Sequence, residues 1–377
     1  MDLAHTLLYV RVSLRHPEEI TDAAKAVLKK VGPVNNFMHS LFTQVDVSFN
    51  RQPVSPSNNA YACGAYIETL LNYGPSAKNS HLTSVLWWDD TPGSMDDVDG
   101  NVGLSKRRAA LNKNSVDMIG HLHCDVFNQD KLLLNGVEVG LRLIRNSDAF
   151  ALMDPAGVFE IRMDEAALLI RRVRLNPTIL LEHNGLLAKQ TAKYPITRVQ
   201  IKSFVIHSGV HGESLDNVIL GQLPKRIIIG FVKNKSFKGD RGCNPFNFEH
   251  FSINYLNVYV DGVQVPSRQL QPNFETDHYV EAYQNLFIGT GIHFKNQGNC
   301  ITKSAFSKGY TLFAYDFTPD LSANENGHWN LVRHGGVRVD VKFAKALEET
   351  INCIVYAEYD NILEIDSARQ CLVDYCA

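Results

Sequence analysis

Residues 336–343 read Gly-Val-Arg-Val-Asp-Val-Lys-Phe, and this stretch decides the class of fold. Its apolar residues occupy every second position, so one face of an extended chain is apolar and the other is polar. The same period of two recurs in residues 8–14, 45–49 and 137–143, whereas Ile227-Ile228-Ile229 predicts a strand buried on both faces. The chain is therefore predicted to be all-β, with short helices inserted in its loops.

The stretch at 336–343 has a counterpart 200 residues earlier, where Gly136–Leu143 shows the same alternation. A hairpin pattern at Val45–Val54 likewise resembles the one at Leu256–Val265, and a short helical pattern follows each hairpin. Chance similarity between hairpins explains any one of these resemblances. Three resemblances in the same order, of a hairpin, a helix and a strand, favour a duplicated β-domain.

A chain of 377 residues exceeds the size at which a single core stops growing, about 250–300 residues, so two domains are expected. The repeat predicts a first sandwich at 1–177, a linker with a short helix at 178–195 and a second sandwich at 196–377. A strand predicted at Thr197–His207 has no counterpart after Met1, so the first sandwich is expected to lack its N-terminal strand. The predicted helices are Glu18–Lys30, Ala65–Leu71, Ile179–Lys189 and Tyr279–Leu286.

Charge and cysteine usage narrow the classes of function. Charged residues make up 20% of the chain, below the roughly 25% that is usual, which favours burial in contacts between subunits. The net charge of -3 disfavours direct nucleic-acid binding. Seven scattered cysteines without a C-x-x-C motif indicate reduced thiols, and no signal peptide or membrane-spanning run is expected.

The strongest metal-binding pattern is Gly120-His121-Leu122-His123, which in two β-domains resembles a bicupin metalloenzyme. A cupin needs a Glu four or five positions after the second histidine, where this chain has Phe127 and Asn128. The second half offers His207, His211 and Glu213 instead. We therefore expect no metal, and histidines that form local hydrogen bonds.

Patterns of catalysis and cofactor binding are incomplete. Gly212–Asp216 lacks the last glycine of a nucleophile elbow, and Gly289–Phe294 fails the dinucleotide fingerprint. No phosphate-binding loop is present. The sequence therefore predicts no catalytic residue, no cofactor and no enzyme activity.

Three polar or aromatic stretches remain as candidates for binding. Trp87 and Trp88 are candidate interface anchors, with packing beneath their own loop as the equal alternative. The acidic pairs Asp89-Asp90 and Asp96-Asp97 suit a cation site or, more commonly, a solvated loop. The basic stretch Arg171–Arg174 suits phosphates, a polar strand face or a subunit contact.

Several longer motifs carry a resemblance to one family. They are Phe37–Asp46, Tyr66–Tyr73, Gly120–Asn128, Leu215–Arg226, Asn257–Pro266, Asp316–Leu321 and Tyr356–Asn361. Over nearly the whole chain they resemble the hexon-type major capsid proteins of Polinton/Maverick elements and adintoviruses. The chain departs from the family at its front and at Cys63-Gly64, where a bulky aromatic residue and an arginine are more usual.

The resemblance implies a double jelly roll, two eight-stranded sandwiches of which the first lacks its opening strand. It also implies homotrimeric, pseudo-hexagonal capsomers in a virion shell. The implied partners are neighbouring capsomers and a penton single jelly-roll protein, without a membrane; assembly in the nucleus or the cytoplasm stays open. Two alternatives remain: an assembly-defective host copy that acts as a binding module, and the bicupin-like metalloenzyme.

Overall fold

Strands dominate the computed structural model, which describes residues 1–15, 30–55, 59–111, 115–155, 157–296, 298–325 and 331–373. In the first half of the chain they are β1 (Asp2–Arg15), β2 (Gly32–Pro33), β3 (Phe42–Phe49), β4 (Gln52–Pro53), β5 (Ser115–His121), β6 (Val139–Arg145), β7 (Leu152–Met153) and β8 (Glu160–Arg171). In the second half they are β9 (Ala192–Ile206), β10 (Gly212–Gln222), β11 (Arg226–Lys233), β12 (Ile253–Val260), β13 (Val263–Leu270), β14 (Leu312–Asp316), β15 (His334–Phe343), β16 (Ile351–Ile365) and β17 (Cys371–Val373).

Short helices lie between the strands. They are α1 (Phe37–Ser40), α2 (Tyr61–Asn72), α3 (Pro75–Lys78), α4 (Val102–Leu111), α5 (Asp148–Ala151), α6 (Pro177–Leu187), α7 (Asn234–Lys238), α8 (Val280–Gly289) and α9 (Lys303–Phe306), with 3₁₀ turns at His81–Val85 and Asp125–Phe127. Helices α2, α6 and α8 confirm three predictions, while the helix predicted at Glu18–Lys30 lies outside the described residues except for its last residue. Helix α4 was not predicted, because Lys106-Arg107-Arg108 interrupts its apolar pattern. Within the described ranges, no helix is long and apolar enough to cross a membrane.

The second half forms a Greek-key sandwich of two antiparallel sheets. One sheet has the order β9-β16-β11-β14, with β17 beside the end of β16, and the other has the order β10-β15-β12-β13. Because β9, β10, β11 and β12 alternate between the sheets, consecutive strands face each other across the core. Strand β11 is buried on both faces from Arg226 to Val232, which confirms the prediction for Ile227-Ile228-Ile229.

The first half repeats this arrangement with fewer strands. Its sheets have the orders β5-β1-β8 and β4-β3-β6, so β1 takes the place of β11 and β8 that of β16. Likewise β3, β4 and β6 take the places of β12, β13 and β15. Among the described residues of this half, no strand takes the place of β9, as predicted, and none takes that of β10. Helix α6 falls in the predicted linker, whose boundaries at 177 and 196 stay predictions.

Strand pairing corrects the register of the internal repeat by two residues. Val45 pairs with Leu143, while its equivalent Leu256 pairs with Val341, an offset of 198 rather than 200 between β6 and β15. A shift of two residues keeps every side chain on the same face of a strand. Alternation alone therefore could not separate the two registers.

The first sandwich is less covered than the second, because no described strand takes the places of β9 and β10 in it. The inner-face residues Val337, Val339 and Val341 of β15 are at most 1% exposed. Their first-half equivalents on β6, among them Leu141 and Leu143, are only partly buried. Burial of apolar surface contributes roughly 25 cal/mol per Å², so the first sandwich gains less stability from the same strand pair.

Helix α2 joins the two halves, because it packs against β9 through Gly64. A Cβ atom on Gly64 would overlap the Cδ1 atom of Ile201 on β9. A side chain at position 64 would therefore push the two halves apart. The absence of a side chain allows helix and strand to approach closely.

Substituting Gly64→Val is expected to lower the free energy of unfolding by about 1–3 kcal/mol, because the added methyl groups overpack this junction. Urea unfolding would measure the loss. Gly185→Val, in helix α6, is the matched control, since a Cβ there meets no atom within 4 Å. Equal midpoints for the two variants would contradict a tight junction at Gly64.

Candidate functional site

The two tryptophans occupy different environments. Trp87 is fully buried: its ring stacks on Tyr66 at 5.2 Å between centroids, and Tyr66 stacks on Phe246 of the second half at 4.2 Å. The Trp87 indole N–H donates to Oδ1 of Asp89 at 3.0 Å. A fully buried ring has no surface to offer a second subunit, so Trp87 contributes to the junction between the halves. Trp88 is partly buried, and its role as an interface anchor stays a prediction.

In the acidic loop at 89–97, Asp89 and Asp97 are exposed, but Asp90 is enclosed and its carboxylate is not available as a cation ligand. The carboxylate of Asp90 is buried and pairs with the buried guanidinium of Arg107 on helix α4 at 2.5 Å. The carboxylate oxygens of Asp90 also accept hydrogen bonds from the side-chain amides of Asn101 at 2.8 Å and Asn244 at 3.0 Å. Since Asn244 belongs to the second half, Asp90 also links the two halves.

Asp96 extends this link at the other end of the loop. Its carboxylate accepts from the backbone N–H of Asn244 at 2.8 Å and lies 3.5 Å from the Nζ atom of Lys233. Lys233 also contacts Glu249 at 2.9 Å. Burial alone would lower the pKa of Lys233, but the hydrogen bond to Glu249 and the surrounding carboxylates raise it. The ammonium group therefore stays charged and holds carboxylates from both halves.

The two histidines of the H-x-H motif belong to a polar cluster in which His39 and Asp125 are buried and the other members are half-buried. The Nδ1 atom of His123 lies 3.1 Å from a carboxylate oxygen of Glu68, and its ring meets the ring of His39 edge to face at 4.6 Å. His121 contacts the side-chain oxygen of Asn128 at 2.7 Å. Three separate sequence motifs thus meet in one place, which we call the seam cluster: His39, Glu68, His121, His123 and Asp125.

Burial sets the ionisation of this cluster. It lowers the pKa of His39 and that of His121, so both rings are neutral near pH 7. Burial would raise the pKa of Glu68, but the charge and hydrogen bond of His123 lower it. In the described ranges, no group of three or more His, Cys, Asp or Glu residues is arranged to hold a metal ion. His207, His211 and Glu213 have exposed side chains in the second half.

Asp125 connects the seam cluster to the second half. One carboxylate oxygen accepts from the backbone N–H of Val199 on β9 at 3.2 Å, and the other is buried and has no hydrogen-bond partner among the described residues. Burial, reinforced by Glu68, raises the pKa of Asp125 to about 7, against the opposing effects of the Val199 N–H and Arg198. The adjacent cavity of about 50 Å³ is far below the roughly 300–1,000 Å³ of ligand pockets. The cluster therefore joins the halves and offers no substrate site.

The remaining motifs meet at one end of the second sandwich. Lys225 pairs with Asp360 at 3.0 Å, and the adjacent Arg226 pairs with Glu358 at 2.7 Å. Arg198 donates to the side-chain oxygen of Asn361 at 3.1 Å. These contacts join Leu215–Arg226 to Tyr356–Asn361, two motifs more than a hundred residues apart. These ion pairs and hydrogen bonds hold the start of β11 beside its neighbour β16.

Comparison with known proteins identifies the fold. No protein-family model matches the chain. An uncharacterized protein of Caenorhabditis elegans is 28% identical over 353 residues, which are 91% of this chain and 81% of that protein. Among solved structures, that of the Sputnik virophage aligns over 99% of this chain and 82% of its own, with a TM-score of 0.60 and 12% identity. The chain has the double jelly-roll fold.

Two further solved structures agree with this assignment. The major capsid protein of Faustovirus aligns over 95% of this chain and 84% of its own, with a TM-score of 0.55 and 8% identity. The mavirus major capsid protein covers 98% and 83%, with a TM-score of 0.50 and 10% identity. Likeness at these identities establishes the double jelly roll, as the sequence predicted. The seam cluster and the acidic loop are then among the contacts that fix one jelly roll against the other.

Proposed function

We propose that this chain is a hexon-type major capsid protein of Polinton/Maverick elements or adintoviruses, and that three copies form a pseudo-hexagonal capsomer. The observation that carries the proposal is a double jelly roll that aligns with viral capsid proteins over 95–99% of the chain. Three copies would place six similar jelly rolls around one axis, which approximates sixfold symmetry. The motifs at Phe37–Asp46 and Tyr356–Asn361 support the Polinton/Maverick and adintovirus assignment.

In this proposal the protein acts through contacts alone, without catalytic residues or a cofactor. Its partners are its two trimer mates, neighbouring capsomers and a penton single jelly-roll protein at the vertices, and its place is the virion shell. The net charge of -3 supports a protein that encloses a genome without binding it directly. The seam cluster and the acidic loop would keep the two jelly rolls in the fixed relation that a regular shell requires.

Light scattering on the purified chain tests the proposal. We expect a particle of three times 42.2 kDa, because obligate interfaces between jelly rolls bury large areas and hold the trimer together at assay concentrations. Electron micrographs of the same sample should show particles with a pseudo-hexagonal outline. A folded monomer that persists well above micromolar concentration would contradict assembly by this chain.

A second candidate function is a host copy that keeps the jelly rolls as a binding module and no longer assembles. Among the described residues, no strand pairs with the outer edges of β6 and β8, which favours this candidate because an unpaired strand edge accepts a strand from another protein. This candidate predicts a 42.2 kDa monomer or irregular aggregates in the same experiment. Expression together with a packaging ATPase, a protease and a penton gene would instead favour the capsid protein.

A further inference from the structure

In the second jelly roll, the outer face of the sheet β9-β16-β11-β14 is covered by the first half of the same chain. Ile201, Tyr356 and Ile228 lie side by side on this face, because Ile201 pairs with Tyr356 and Tyr356 with Ile228. They are 8%, 2% and 2% exposed. Gly64 of helix α2 packs against Ile201. Within one chain, helix α2 of the first jelly roll thus meets the outer sheet face of the second.

The equivalent face in the first jelly roll is not covered. In the sheet β5-β1-β8, Leu8 and Val10 are buried in the core, so the residues that alternate with them lie on the outer face. Strand pairing places five apolar residues together there, which we call the bare face: Leu7, Tyr9, Ile119, Ala167 and Leu169. Leu169 is 48% exposed, and the other four are only partly buried. A cluster of this kind marks a site of protein contact, whereas a single exposed apolar residue does not.

The surroundings of the bare face leave its apolar centre accessible. Residues 16–29 and 112–114, which are outside the described ranges, follow Arg15 and precede Ser115 at the opposite end of the sheet. Leu7 is about 26 Å from Arg15 at the rise of a β-strand. The neighbouring charges of Arg11 and Glu165 are paired with each other at 3.3 Å, so a partner can cover the centre without leaving either charge alone.

Helix α8 is the counterpart of helix α2 in the internal repeat, since Tyr279-Val280-Glu281 corresponds to Tyr66-Ile67-Glu68 at an offset of 279 − 66 = 213. One side of α8 packs on its own jelly roll, where Gly289 lies against Ala314 of β14. The charge of Glu281 is paired with Arg268 at 3.0 Å. Helix α8 therefore has a fixed position, and only part of its surface remains exposed.

The exposed part is one stripe formed by Val280, Gln284 and Ile288, which lie on the same side of the helix at a spacing of four residues. Val280 is 56% exposed and Ile288 is 37% exposed. In helix α2, the counterparts of Val280 and Gln284 are Ile67 and Leu71, which are 1% and 7% exposed. The same stripe is thus buried in the first jelly roll and exposed in the second.

We propose that the exposed stripe of helix α8 docks on the bare face of a second copy, and that this contact repeats between chains the junction that helix α2 makes within one chain. The inference rests on the proposed trimer and names the surfaces that form it. A single chain has only two jelly rolls, so its one internal junction leaves the stripe at one end and the bare face at the other. A second copy offers the missing surface in each case.

This contact accounts for a closed ring. It is heterologous, because a helix stripe meets a sheet face and two different surfaces pair; such contacts close into rings when the rotation between copies fits. Alternating junctions within and between chains would place all six jelly rolls of a trimer in similar surroundings. Every bare face and every α8 stripe would then be covered.

The test compares four variants with the unaltered chain by light scattering. Leu169→Asp places a charge on the bare face, and Val280→Asp places one on the stripe. Both are expected to raise the concentration needed for trimer formation at least tenfold, since each buries an unpaired carboxylate in the contact.

Two matched controls are expected to stay trimeric. Val102→Asp alters a valine that is the first residue of helix α4, as Val280 is of helix α8, and the two are 58% and 56% exposed. Leu220→Asp alters a leucine on strand β10 that is 69% exposed and belongs to neither surface. Circular dichroism confirms the folding of each variant.

Mixing the two docking variants gives a sharper result. Leu169→Asp keeps an intact stripe and Val280→Asp keeps an intact bare face, so the mixture can form one contact but cannot close a ring. We expect a species of twice 42.2 kDa in the mixture and monomers in each variant alone. If the unaltered chain is trimeric and either docking variant assembles as readily as its control, the docking contact is wrong while the proposed function stands. An unaltered chain that is monomeric overturns both.

Discussion

Replacing Arg107 by methionine is expected to lower the free energy of unfolding by about 3–5 kcal/mol, because it leaves the buried carboxylate of Asp90 without a counter-charge. Both side chains are fully enclosed, with no exposed side-chain surface on either. Removing one partner of a buried pair is costly, since the other charge can neither find a new partner nor reach water.

The guanidinium also satisfies backbone groups that would lose their only described donor. Its Nε atom donates to the carbonyl of Pro33 at 2.9 Å, and one terminal nitrogen donates to the carbonyl of Trp88 at 2.6 Å. An unpaired buried acceptor costs about 1–3 kcal/mol. The loss therefore affects three segments together: β2, the acidic loop and helix α4.

Tryptophan fluorescence during urea unfolding measures this effect, because Trp87 and Trp88 lie beside the ion pair. Lys106→Met is the matched control: it removes one positive charge from the same helix at an exposed position. The control should change stability by no more than about 0.5 kcal/mol. Coinciding unfolding curves for Arg107→Met and the unaltered chain would refute the role assigned to this pair.

The sequence predicted the strands well, because each strand has its own local pattern of apolar residues. The alternation of apolar residues at 336–343 and the apolar run Ile227-Ile228-Ile229 are local patterns. In the structure, the first strand is buried at alternate residues and the second at every residue of the run. The internal repeat also predicted that no described strand of the first half takes the place of β9. Its register was wrong by two residues, because a shift of two leaves every apolar side chain on the core face.

The junction between the jelly rolls could not be predicted in the same way. Asp90 pairs with Arg107 on helix α4, a helix that was not predicted because a run of charged residues interrupts its apolar pattern. Its second partner, Asn244, is 154 residues away in the sequence. The acidic loop therefore looked solvated. In the seam cluster, His39, Glu68 and His123 come from three motifs whose proximity only tertiary folding creates. The motifs singled out these residues, but they could not show that the residues lie close together in the fold.

Asp125 gives the second large effect, a loss of stability as pH rises. In the unfolded chain its carboxyl group should ionise near pH 3.9, whereas in the fold burial raises its pKa to about 7. Between these values the folded state keeps a proton that the unfolded state has lost. The contribution of this group to the free energy of unfolding is thus fully present below about pH 4 and lost as pH rises through about 7.

The size of the effect follows from the rise of the Asp125 pKa from about 3.9 in the unfolded chain to about 7 in the fold, which corresponds to roughly 4 kcal/mol. The groups that face Asp125 are Glu68 on helix α2, Arg198 on β9 and the adjacent His123. His39 and His121 act in the opposite direction, because burial lowers the pKa of each ring and protonation below about pH 6.5 destabilises the fold. The free energy of unfolding of the unaltered chain, measured against pH, therefore combines the contribution of Asp125 with the opposite contributions of the two histidines.

Asp125→Asn isolates the carboxyl group. An asparagine oxygen can still accept from the Val199 N–H, so the variant keeps the contact between the jelly rolls but never ionises. Relative to this variant, the unaltered chain is expected to lose up to about 4 kcal/mol between pH 4 and 8, with most of the loss below about pH 7. Asp117→Asn, at an exposed carboxylate on β5, should show no such divergence. If the stability difference between the chain and Asp125→Asn stays constant across this range, Asp125 ionises normally in the fold and the junction does not respond to pH.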